Sequence, residues 1–275
     1  SSSWRPPHVA ELYSVGTHQS AAANEYGFLL SDSTNEVLDI DDVSFETEQA
    51  LKFVGTYHKQ WNKFSLEVGP YANYIFNYIY LRPWGVTQTV RGTYATLRYT
   101  QTDALFLGVD VSGIWQLHPM VKITPKVALL RASDERNDDY LVFIPSNWYE
   151  VAVRHERPAV GSFKNLFVES KIKYVSRQHL APRVLTVREI NEAHQQGADP
   201  FAGDPSSFDF MEAPEGYFLW NVSAGASIKG EKTQYDFRIG AQNLLNTSYR
   251  EYTNRFRYYA DDLGRNFIIS IKCIF

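Results

Sequence analysis

A chain whose apolar residues recur at every second position, in segments too long for an ordinary soluble sheet, has few ways to fold. In Asn266–Phe275 the odd positions are Phe267, Ile269, Ile271, Cys273 and Phe275, while the even set includes Ser270 and Lys272. Phe218, Trp220, Val222, Ala224, Ala226 and Ile228 alternate with Asn221, Ser223, Gly225 and Ser227. Tyr235, Phe237, Ile239 and Ala241 alternate with Gln234, Asp236, Arg238 and Gln242, and the same period runs through Leu105–Gln116 and Val121–Leu129. Phe45–Gln60, Phe64–Tyr80, Asn147–Arg157 and Leu166–Gln178 are further candidates. Period two marks a β-strand with two unlike faces. These strands run roughly 10 to 16 residues, where strands in soluble proteins average about 5 to 6. At about 3.3 Å per residue and a tilt near 45°, roughly 9 to 11 residues cross the hydrocarbon of a bilayer.

The connections alternate in length. Short ones fall near Trp61–Lys63, Leu117–Met120, Pro158–Lys164 and Lys229–Lys232; long ones fall at about 14–44, 82–94, 133–146, 179–216 and 247–264. Short turns on one side and long loops on the other are the rhythm of an up-and-down outer-membrane barrel. Aromatic residues at strand ends (Tyr78 and Tyr80, Trp148 and Tyr149, Tyr217 and Trp220, Tyr258 and Tyr259) fit rings placed at membrane–water interfaces. A soluble sandwich or lipocalin-type barrel shares the alternation, and period two alone does not tell which face is wet. Strand length and loop asymmetry favour the membrane barrel. So do charges deep within the strands opposite the apolar face, at Lys122, Lys126, Glu169, Lys171, Lys173 and Arg238. A watery bore tolerates these and a lipid face does not.

Composition narrows the classes further. No apolar run approaches the roughly 18 residues of a helical span. A net charge of −4 gives no electrostatic reason to expect nucleic acid. The single Cys273 cannot form an internal disulfide. No leader segment is visible at Ser1, so the expectation is that it has been removed or that the chain is a piece of something longer. About ten strands, plus the tail of another in Ser1–Tyr13, make an uneven half of a larger all-β, antiparallel transmembrane barrel. Two unpaired edges in lipid are forbidden by hydrogen-bond accounting, so a completing partner chain or the remaining barrel is expected.

The end of the chain carries a resemblance. It reads Asp236-Phe-Arg-Ile-Gly-Ala-Gln-Asn-Leu-Leu-Asn246, then Tyr249-Arg-Glu-Tyr252, then Gly264-Arg-Asn-Phe267 and a terminal Phe275. This resembles the last two strands of a TonB-dependent outer-membrane receptor. Trp4-Arg-Pro-Pro-His-Val-Ala-Glu-Leu-Tyr13 resembles an element upstream in the same family, and Asn73–Tyr80 and Arg98–Ala104 with Gly108 resemble its middle strands. The resemblance implies a 22-stranded barrel in the bacterial outer membrane whose bore holds an N-terminal plug. It further implies transport driven by the TonB complex through that plug. Neither plug nor TonB box is in this sequence, so the chain alone is not expected to transport.

Within the family, Glu11–His18 and Glu25-Tyr-Gly27 resemble the subgroup of the zinc-type receptor, where a histidine of this segment helps hold metal near the plug. His18 matches that position best, with Glu11 nearby and His8 a weaker candidate; imidazole is a good zinc ligand. An ordinary loop histidine is the plainer alternative. The implied cargo is zinc, an iron–siderophore or haem, with no cofactor required. Arg255, Arg257 and Tyr258, in the basic and aromatic loop Arg255–Tyr259, are candidate contacts for an anionic chelate or lipopolysaccharide. A loop stabilised by cation–π packing accounts for the same residues.

Other constellations carry less. Asp39, Asp41 and Asp42, and Asp134, Glu135, Asp138 and Asp139, lack the spacing of a calcium loop and read as solvated charge. The longest loop contains Pro182, Pro200, Pro205 and Pro214, with a short helix expected over Val184–Gln195. No nucleophile elbow, His-Glu-x-x-His or phosphate loop is present, so no enzyme is expected. A scaffolding barrel half that binds a partner protein without transport is the alternative function. A partner filling the bore would distinguish it from the receptor.

Overall fold

A computed structural model describes the whole chain except residues 19–22, 32–35, 91, 186, 199–207 and 231–232. The chain enters through β1 (Ser2–Arg5), a single turn of helix α1 (Val9–Tyr13), and the hairpin β2 (Val15–His18) and β3 (Ala23–Tyr26). The wall follows as β4 (Glu48–Val54), β5 (Tyr57–Gln60), β6 (Phe64–Thr89), β7 (Gly92–His118) and β8 (Val121–Asp134). A short β9 (Asp139–Tyr140) precedes the hairpin of β10 (Trp148–Val160) and β11 (Phe163–Val175). The next long loop holds β12 (Arg183–Val184), α2 (Val187–Gln195) and β13 (Phe208–Asp209). The chain closes with β14 (Tyr217–Lys229), β15 (Gln234–Gln242) and β16 (Asn266–Ile274). The helix expected within the longest loop is α2; Pro200 and Pro205 lie outside the described residues.

These strands form one antiparallel sheet in the order β1-β4-β6-β7-β8-β10-β11-β14-β15-β16, with β5 continuing β4 along β6. Neighbours in the sheet are neighbours in sequence, as an up-and-down meander requires. Ten strands lie on this path, β1 included, at the low end of the expected number. Ser1–Tyr13 contributes only four residues to the sheet before turning into α1. β1 and β16 are the two ends of the order and do not pair with each other.

One expected loop is a strand instead. Residues 82–94 continue β6 and β7 upward as a hairpin whose strands run 26 and 27 residues. Pro83 suggests a break, yet the extra residue it needs is absorbed by a bulge between Pro83 and Val86. Gly85 supplies the positive φ of 97° at that bulge, and Val86, Thr87 and Thr93 carry the β-branched side chains that suit a strand. Above β8 the free edge of β7 is covered by β3, which pairs with it in parallel from Ala23↔Ala95 to Tyr26↔Arg98. An open edge on a tall hairpin would template aggregation; a loop strand laid along it removes the hazard.

The two faces of the wall are chemically distinct. Val151, Val153, Val168, Ile172, Phe237, Ile239, Phe267, Ile269 and Ile271 share one face and are exposed. The opposite face carries Lys122, Lys126, Glu150, Arg154, Glu169, Lys171 and Arg238. Large exposed aliphatic side chains in this density make sense only against acyl chains. Near the long-loop end, register sets Tyr149 beside Tyr174 and Tyr174 beside Phe218 on the apolar face, with ring centroids 6.2 and 4.5 Å apart. This row is the aromatic girdle. Tyr78, Tyr80 and Tyr258, expected at the interface, are instead packed among the loops, because the hairpin and the last loop rise above the girdle.

Candidate functional site: the bore wall and the loop cap

On the polar face, charges pair across strands. Lys171 Nζ lies 3.4 Å from Glu150 Oε1, Arg154 Nη1 lies 3.5 Å from Glu169 Oε2, and Arg154 also pairs with Glu156. The Arg154 guanidinium sits 3.8 Å above the Phe167 ring, and Lys173 Nζ is 5.0 Å from the Trp148 ring. Phe167 packs over Gly225 on the next strand and Tyr71 over Gly108; a Cβ at either glycine would collide with the ring. The bore face is thus a lattice of alternating charges braced by aromatic rings. It suits water and polar protein, not lipid.

The loops gather above this wall into a packed cap. Leu141 and Ile144 of the loop after β8 cover Ala104, Ala132, Tyr78 and Tyr80. Ala104 and Ala132 belong to the polar-face rows of β7 and β8, so this loop folds over the top of the bore. A second cluster joins Ala23, Leu81 and Leu97 to Tyr99, Phe143 and Phe210, bringing the first, third and fourth long connections together.

The centre of the cap is an ion pair. Arg257 and Asp209 are each 1% exposed and bonded to one another. Tyr258 Oη donates to Asp209 Oδ1 at 2.6 Å, and Tyr252 Oη reaches Asp209 Oδ2 at 3.4 Å. The Arg257 guanidinium is sandwiched by the rings of Tyr258 and Tyr252 at 4.4 and 4.6 Å, with Phe143 at 5.9 Å. Burial, reinforced by the Asp209 charge, pushes the Tyr258 and Tyr252 phenols well above the usual tyrosine range, so both stay protonated donors. A buried carboxylate ringed by a guanidinium and two phenols has its charge fully answered.

Local sequence explains why the last loop can hold this shape. Asn254 caps the 3-10 turn Arg255–Tyr258 by accepting from Phe256 N at 3.0 Å. Asn243 and Asn246 both adopt positive φ, at 46° and 55°, which asparagine tolerates. Asn243 bonds Thr247 through both its amide groups, and Asn246 Oδ1 accepts from Arg265 N at 2.9 Å. A Cβ at Gly264 would come within 2.8 Å of that same Oδ1. The Asn243-Leu-Leu-Asn246 and Gly264-Arg265 motifs are therefore the two halves of one loop clasp.

The sequence-derived site residues separate into three places. His18, half exposed, lies with Nε2 4.0 Å from Glu25 Oε2, and Arg255 bonds Glu25 from the other side. Glu11 is not in this group. It caps α1 through the His8 backbone at 2.6 Å and binds Arg5, which also holds Glu48. The Arg5, His8 and Glu11 of the upstream motif are a strut between α1 and the first wall strands. Arg257 and Tyr258 are inside the cap, so the stabilised-loop alternative describes them as they stand. Among the described residues no group of three His, Cys, Asp or Glu side chains could hold a metal. Asp134 instead accepts from Thr102, Tyr80 and Asn137. Sequence reasoning met Glu25 only as part of a motif and missed Asp209, because their partners Arg255 and Arg257 lie far along the chain.

No family model and no curated protein matches this sequence. Solved structures do. The copper transporter OprC superposes on 98% of this chain with a TM-score of 0.66 at 15% identity, using 35% of its own length. The FrpB iron transporter from Neisseria meningitidis covers 92% of the chain (TM-score 0.57, 10% identity, 34% of its length). The siderophore receptor PirA from Acinetobacter baumannii covers 82% (TM-score 0.55, 15% identity, 32% of its length). The chain spans about a third of the length of the solved structures it matches. At these identities the likeness concerns fold, and the fold is that of a stretch of outer-membrane β-barrel wall with the loops above it.

Proposed function

We propose that this chain is part of the wall and loop cap of a TonB-dependent outer-membrane receptor that takes up a scarce metal or metal chelate. The observation that carries the reading is the pairing of a lipid-facing apolar surface with a charged bore face roofed by packed loops. A passive structural sheet has no need of a bore lined by Glu150, Arg154, Glu169 and Lys171. The names of the similar structures, a copper transporter, iron transporters and a siderophore receptor, support a metal-bearing cargo. The plug and the TonB contact belong to parts of the receptor outside this chain.

His18 stays in this reading as a cargo contact at the rim, with Glu25 beside it in place of Glu11. Arg255, held by Glu25, presents the remaining cationic surface, and Arg257 and Tyr258 serve by shaping the loop that carries it. Uptake of labelled zinc, copper, ferric siderophore and haem by cells producing the intact receptor tests the reading, with and without a working TonB complex. Uptake that continues unchanged without TonB would sink it. Uptake unaltered by His18→Ala would remove only His18.

A further inference from the structure

The lipid-facing side of β10, β11 and β14–β16 carries a groove that the uptake reading leaves unused. Register places His155, Val168, Ala224, Ile239 and Ile269 in one row across five strands. Ala224 and Ala226 are small where their neighbours are large, and the surface dips over them. Two cavities, about 400 and 560 Å³, meet there and share Val168, Ala224 and Ile239. At about 4.8 Å per strand the row extends roughly 19 Å, the length of an extended fatty acyl chain.

One end of the groove is cationic. His155 and Arg157 point to the same face as Val151 and Val153, and both line the first cavity. His155 stands opposite Val121, the first strand residue after the tight turn at Pro119–Met120, and Glu156 N donates to Met120 O at 2.8 Å. The pair therefore sits at the rim on the short-turn side. Both side chains are exposed, and neither forms a hydrogen bond or ion pair with a described residue. A guanidinium on a lipid-facing surface is unfavourable in hydrocarbon and favourable among headgroups, where its planar fork fits a phosphate.

We propose that this groove seats one glycerophospholipid of the leaflet on the short-turn side. Its phosphodiester lies against Arg157 and His155, and one acyl chain lies over Val168, Ala224 and Ile239. The inference rests on the wall facing lipid, and it is independent of the cargo. Charge complementarity at the mouth and continuity with the apolar belt select this occupant over a second protein.

Native mass spectrometry of the intact receptor, released in mild detergent and offered phosphatidylglycerol, tests it. The wild type and the bore-face control Lys126→Gln are expected to retain one phospholipid. Arg157→Gln is expected to retain it roughly five- to tenfold less, as fits the loss of a charge-assisted phosphate contact. Ala224→Leu, which fills the groove, should lose it similarly; if that variant fails to form a heat-shifted barrel, Arg157→Gln decides alone. Diacylglycerol, lacking the phosphate, should not be held. Equal retention by wild type and Arg157→Gln, or retention of lipid A through the same residues, overturns the proposal. Metal uptake by Arg157→Gln should match wild type, so a negative retention result leaves the uptake reading standing.

Discussion

Wall and cap answer to different solvents. The largest fully buried side chains, among them Leu29, Leu97, Leu141, Asp209 and Arg257, lie in the cap or the upper hairpin. In the wall the big aliphatic residues are exposed, and between the rims the charges face inward. The cap is built as soluble proteins are, by burying apolar surface and pairing the buried Asp209 with Arg257. The wall has no interior of its own; its order comes from strand pairing, with lipid outside and polar matter within. One chain thus carries two folding problems with opposite placement rules, joined at the girdle of Tyr149, Tyr174 and Phe218.

That contrast can be broken most decisively at its buried charge. Arg257→Met leaves the Asp209 carboxylate buried without its cation, at an expected cost of about 3–5 kcal/mol. The cost should fall on the cap alone. Limited proteolysis should open the loop between β11 and β14, while the barrel keeps its heat-shifted mobility on gels. Loops as protected as in the wild type would mean that the ion pair does not organise the cap.

A smaller effect separates the two faces of the wall. Val153→Lys places a charge on the lipid side, midway between Tyr149 of the girdle and Arg157 of the rim, and should destabilise the barrel by about 2–4 kcal/mol. Lys126→Gln on the bore side should stay within about 0.5 kcal/mol. Urea titration of the intact protein folded into vesicles measures both. Equal costs would erase the assignment of inside and outside.

The smallest effect is a matter of pH. Burial raises the Tyr258 and Tyr252 phenols above their unfolded value of about 10, so the folded cap holds protons that the unfolded chain releases. Their contribution is complete below about pH 10 and is lost as pH rises towards the folded values. Cap protection, followed by hydrogen exchange, should therefore be flat through neutral pH and decline above about 10. Tyr258→Phe should soften that decline. A cap that weakens between pH 6 and 9 would assign the titration to other groups.

The same division governs what could be read beforehand. The wall strands, their two faces and the rhythm of short and long connections were legible because alternation is local. Each residue announces its own face, and strand length announces the thickness crossed. The rise of β6 and β7 through 82–94 was not, because Pro83 and Gly85 read as breakers until a partner strand absorbs them in a bulge. Sequence shows the nearness of Glu11 to His18 but not the guanidinium of Arg5 that Glu11 shares with Glu48.

What the sequence determined by itself is the sidedness of the sheet, since a period of two fixes which residues share a solvent whatever surrounds them. The tertiary structure alone decided the cap. Asp209 meets Arg257 across 48 positions and Glu25 meets Arg255 across 230, and no local pattern encodes either partner. A buried charge is tolerated only where its counter-charge arrives in three dimensions, so the residues that read as a binding loop in sequence became the centre of a core.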